Sequence, residues 1–139
     1  MMNRLLPTEE RLSRILPNSS SNCKFCQVQV TADLPHCIMQ CASTQEVGNL
    51  MLSMVRLHDP TVTASKLLRL EFACEPAQEM PLVWILTQIF LYMWGIRASG
   101  KIVSRILTRA YLESKISLLR ETRHQNECAL ISEIVEACM

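Results

Sequence analysis

The chain has 139 residues, 49% of them hydrophobic and 19% charged, with a formal net charge of +1. This length suits one domain rather than two large ones, and the apolar content excludes global disorder. A net charge so close to zero points to no partner by itself.

Residues 1–16 are interrupted by Arg4, Glu9, Glu10, Arg11 and Arg14 and hold no continuous apolar run. No secretory signal is therefore expected, and the location is predicted to be intracellular, nuclear or cytoplasmic. In such a reducing compartment the seven cysteines, an odd number, read as thiols and metal ligands rather than as a disulfide framework. Glu9 and Glu10 suit the positive end of a helix, and Leu12, Ile15 and Leu16 follow at helical spacing until Pro17 stops the run. Residues 1–22 thus read as a short amphipathic helix and a polar loop.

Residues 23–41 carry the chemistry. The spacing Cys23-x2-Cys26-x9-His36-x4-Cys41 offers four donors of the softness zinc prefers within nineteen residues. Two cysteines separated by two residues can wrap a tight turn with both sulfurs inward, and a histidine and a cysteine at the start of a helix complete a tetrahedron. A closed set of this kind is structural, whereas a catalytic zinc keeps an open position. The alternative is a group of buried thiols with a loop histidine, and Cys37 is a further candidate ligand. Residues 27–31 could form a short hairpin strand.

Residues 42–139 read as helices packed on this module. Ser43 and Glu46 are spaced as a capping box, and Val47, Leu50, Met51, Met54 and Val55 recur at helical spacing up to His58-Asp59-Pro60. A further helix is expected over 63–72 and a connector over 75–81. The apolar run 82–94 continues to about Ala98, where Ser99-Gly100 can break it. The membrane-like part, 80–94, is shorter than the roughly 20 apolar residues that span a bilayer. It reads as a buried core helix, with no membrane partner expected. A long helix over 101–123 and a last one over 127–137 complete a mainly α fold, a small CCHC zinc-binding module followed by a bundle of about four to five helices.

Between Arg97 and Arg123 the cations Arg97, Lys101, Arg105, Arg109, Lys115, Arg120 and Arg123 face only Glu113 and Glu121. On one continuous helix Arg97, Lys101, Arg105 and Arg109 would form a stripe able to track phosphates. The same spacing also suits an ordinary solvated face.

The Cys-Lys-Phe-Cys at 23–26, the His36-x4-Cys41 pair, the capped helix after it and Trp94-Gly95-Ile96-Arg97 closing an apolar helix resemble the zinc-binding C-terminal domain of non-LTR retrotransposon reverse transcriptases. The chain departs from that pattern at Ala32-Asp33 and at Cys37. The resemblance implies one structural zinc ion, contact with RNA or DNA, and a place beside a polymerase in a longer polypeptide. This chain shows no Asp-Asp pair of the kind that holds polymerase magnesium, so it is expected to be a non-catalytic fragment. The alternative is a helical docking module, bound to the polymerase portion or to a second copy, with no direct nucleic-acid contact.

Overall fold

The computed structural model describes Thr8 and residues 13–14, 22–26, 33–122 and 125–139. The expected N-terminal helix around Leu12–Leu16, the strand over 27–31, and Arg123 lie outside the described residues. Among those described the fold is mainly α, with no strand: a π-helical turn, His36–Gln40, precedes α1 (Gln45–Arg56), α2 (Ala64–Leu68), α3 (Pro76–Ala98), α4 (Arg105–Glu121) and α5 (Gln125–Cys138).

The spacing read for α1 places Val47, Leu50, Met51, Met54 and Val55 in the interior, and all five are buried. This stripe packs against α3, the central element, which also contacts α4 and α5. α3 buries Leu82, Ile85, Leu86, Ile89, Phe90 and Met93. Each such side chain contributes about 1.5–3 kcal/mol by leaving water, so this helix anchors the core. Tyr92 of α3 stacks on Tyr111 of α4 with centroids 4.5 Å apart.

Several expected boundaries move, each for a local reason. The connector expected over 75–81 is the start of α3. Pro76 stands in its first turn, where a missing N–H costs nothing, and Pro81 forgoes only one backbone bond further on. α3 is therefore 23 residues long and by length and composition alone could cross a membrane; in this fold its Leu82–Met93 face lies inside the bundle. The helix expected over 63–72 is shorter, because Leu70 takes a left-handed φ of 56° and the Glu71 N–H closes the end on the Lys66 carbonyl at 2.9 Å.

The long helix expected from residue 101 starts only at Arg105. Gly100, at φ 80°, ends α3 as expected: the Gly100 N–H bonds the Arg97 carbonyl at 3.0 Å and the Lys101 N–H bonds the Ile96 carbonyl at 3.2 Å. The chain then runs unhelically to Ser104, pinned to the residue that follows Cys41 and Ala42. Ser43 Oγ donates to the Lys101 carbonyl at 2.8 Å, and the Val103 N–H donates to the Ser43 carbonyl at 2.8 Å.

Ser43 is thus spent on this bridge and caps nothing, so the expected capping box does not form. α1 begins after Thr44, whose hydroxyl donates to the Cys37 carbonyl. These bonds hold α1 against the π-turn, and Gly48 lets the two backbones meet. A Cβ at Gly48 would collide with the Ile38 carbonyl oxygen and lie 3.2 Å from the Ile38 carbonyl carbon and from the Met39 Cα.

Gly48→Ala should therefore destabilise the protein by about 1–3 kcal/mol, as overpacking does, although alanine in an open helix position gains about 1 kcal/mol over glycine. Urea unfolding followed by circular dichroism checks the sign. A variant more stable than the parent would show that the two backbones can part without cost.

Candidate metal centre

Two short segments meet at one end of the bundle. Cys23 and Cys26 flank and enter a bend at residues 24–26. His36 and Cys41 flank the π-turn, which Asp33 initiates by accepting the His36 N–H on its side-chain oxygen at 2.9 Å. Residues five apart in an α-helix point about 140° from each other. Here the Cys41 N–H bonds back to the His36 carbonyl at 2.7 Å, an i→i+5 closure. This wider turn brings the two side chains toward the same side.

The four donor atoms of Cys23, Cys26, His36 and Cys41 all lie within 4.8 Å of one another. The Cys23 and Cys41 sulfurs are 3.5 Å apart, and Cys26 Sγ lies 3.4 Å from His36 Nε2. Cys23, His36 and Cys41 are buried and Cys26 is half-buried. The group predicted from spacing is therefore assembled and could hold a metal ion. Cys37, the alternative ligand, is fully buried beside the cysteine cluster but is not one of the four grouped donors.

The close Cys23–Cys41 pair ionises unequally. Burial raises the Cys23 thiol, but hydrogen bonds from the Phe25 N–H, His36, the Cys26 N–H and Cys41 outweigh it and bring it down to about 6. Burial pushes the Cys41 thiol up to about 11, helped by the neighbouring Cys23 and opposed by the Ser43 N–H and Arg97. A helix N-terminus favours a Cys41 thiolate, but desolvation dominates here, and Cys23 is the first to lose its proton. Both must ionise to become metal ligands, so a cation there displaces protons.

The four cations expected to share one stripe are parted by the break between α3 and α4. Arg97 is buried at 6% exposure and donates from Nη2 to Cys23 Sγ at 3.6 Å, so it faces the donor cluster and not a surface. Lys101 is exposed in the connecting segment. Arg105 and Arg109 are exposed on α4, where they bond the Cys138 and Met139 carbonyls, each at 3.1 Å, and Arg109 also pairs with Glu113 at 2.9 Å. The sequence reading missed Arg97 and Asp33 as parts of the site. An Asp two residues before Pro35 is a helix-start signal, whereas nothing local marks Arg97, whose partner is 74 residues away.

Comparisons of the chain with protein-family models, curated proteins and solved structures found no match.

Native thiol labelling should separate the cysteines by exposure. The half-buried Cys26, Cys74 and Cys138 should react first and the buried Cys23, Cys37, Cys41 and Cys128 slowly. Saturation with a thiophilic divalent cation should remove Cys26 alone from the fast set. Unchanged Cys26 labelling in the presence of the cation would mean that the assembled donors do not close on a metal.

Proposed function

We propose that this chain is a non-catalytic, intracellular accessory module in which one structural zinc ion locks residues 23–41 onto a helical body that contacts nucleic acid. The observation that carries the zinc is the fit of the donors. A tetrahedral zinc with sulfur at about 2.3 Å and nitrogen at about 2.0–2.1 Å requires S···S edges near 3.8 Å and S···N edges near 3.5 Å. The 3.5 Å Cys23–Cys41 and 3.4 Å Cys26–His36 separations match these edges. The widest pair, within 4.8 Å, needs to close by at most about 1.3 Å. Three cysteines and a histidine fill all four positions, which leaves no place for a reacting water and supports a structural role.

Contact with RNA or DNA is supported by the resemblance to the reverse-transcriptase zinc-binding domain and by the exposed Lys101, Arg105 and Arg109. With Arg97 turned inward the footprint is smaller than a full stripe. The same region favours a second reading, docking on a protein: Ile102, Ile106 and Leu107 are 71%, 79% and 57% exposed, an apolar surface that phosphate binding does not use.

Protein purified under reducing conditions should contain one zinc per chain, and His36→Ala should lower its zinc affinity and loosen residues 23–41. A metal-free preparation that takes up no zinc would overturn the centre. For nucleic acid, the double change Lys101→Gln and Arg105→Gln should weaken binding across sequences and flatten the slope of log affinity against log salt by somewhat under 2 units. Absence of binding at low salt, or an unchanged slope, would give the docking reading its place. Ile106→Glu would then be expected to disrupt a persistent complex.

A further inference from the structure

A guanidinium at 6% exposure has been taken out of water, which is costly unless it meets an opposite charge and good partners. Arg97 rises from the last turn of α3 and points its Nη2 at Cys23 Sγ, 3.6 Å away. Two rings hold it there. Its Cζ lies 5.2 Å from the centroid of Phe25, inside the Cys23–Cys26 turn, and 6.0 Å from that of Trp94, one turn earlier on its own helix. The turn that supplies two of the donors is thus the surface on which the guanidinium rests.

Charge explains the arrangement. A divalent cation bound by three thiolates and a neutral imidazole carries a net charge of −1, and such a group buried in an apolar end of a bundle is disfavoured without a compensating cation. Outer partners that orient ligands and balance their charge typically contribute 10–100-fold to metal affinity.

We infer that Arg97 is the charge-compensating positioning residue of the metal centre: it neutralises the tris-thiolate complex through Cys23 and clamps the Cys23–Cys26 turn to α3. This rests on the zinc reading above and extends it to a residue far from the ligands in sequence. It makes α3, not only the loop, part of the metal-binding unit. It also requires Arg97 to add little stability when the metal is absent, because taking a guanidinium and its sulfur partner out of water costs about as much as their attraction returns.

The test compares the full chain with Arg97→Met, which keeps an unbranched apolar stem between the two rings, and Arg97→Lys, which keeps the charge. Affinity for Zn2+ and for Co2+ is measured by competition with a chelator, and the Co2+ thiolate charge-transfer band reports how many sulfurs bind. Urea unfolding of the metal-free proteins is measured alongside. The expected result is that Arg97→Met binds both ions about 10–100-fold more weakly with a reduced charge-transfer band. Arg97→Lys should recover part of the loss, and the metal-free Met variant should be as stable as the parent or more so. A Met variant that binds as tightly as the parent would overturn the inference while leaving the zinc reading intact. So would equal losses in Met and Lys, or a parallel loss of stability in the metal-free state, which marks a purely packing role. A parent chain that binds neither ion would overturn both.

Discussion

The close approach of the π-turn to α1 is the constraint on which the four-donor cluster depends. Gly48 permits it, because a Cβ there would meet the Ile38 carbonyl, and Thr44 fastens it by donating to the Cys37 carbonyl. His36 and Cys41 sit at the two ends of that turn, so their positions are inherited from a helix buried in the main core. The loop donors, Cys23 and Cys26, come from a separate segment of the chain. Their link to the body runs through Phe25, Arg97 and Trp94. Backbone packing thus fixes His36 and Cys41, while the Arg97 guanidinium, over the Phe25 and Trp94 rings, joins the cysteine turn to α3.

This division accounts for what could be read from the amino-acid sequence. Cys23, Cys26, His36 and Cys41 are legible because a metal site made from adjacent residues is written as a spacing. The interior face of α1 is legible because burial on one side imposes a period, and the stop at Gly100 because a left-handed residue ending a helix favours glycine. Ser43 was misread since a serine three residues before a glutamate has the form of a cap whether or not the hydroxyl is used elsewhere. Here the Lys101 carbonyl, 58 residues away, takes it. Arg97 failed for the same reason. Spacing by four shows which residues would share a helix face, but Gly100 and the Ser43 bridge end that helix before the pattern is expressed.

α3 illustrates how composition and environment separate. Read as a string it is a 23-residue apolar helix carrying few charges. In the fold its charged residue near the C-terminal end, Arg97, is committed to sulfur, and its Leu82–Met93 face is committed to α1, α4 and α5. The basic character of the following segment is likewise divided: Arg105 and Arg109 reach the carbonyls of Cys138, the last residue of α5, and of Met139 just beyond it, where cations complement the helix dipole. Residues that look alike in a charge count thus face a sulfur cluster, a helix end and the solvent.

The distances along the chain between contacting groups also set the loop-closure cost of each contact. α3, α4 and α5 follow one another and pack as neighbours, so they require little loop closure and can form early. The contacts Ser43 to Lys101 and Cys23 to Arg97 close spans of 58 and 74 residues, and they reward the chain only after α3 exists to receive them. By loop closure alone the helical body precedes the cysteine loop, so a cation held by the four donors would act as a latch on a nearly finished structure rather than as the nucleus from which it grows.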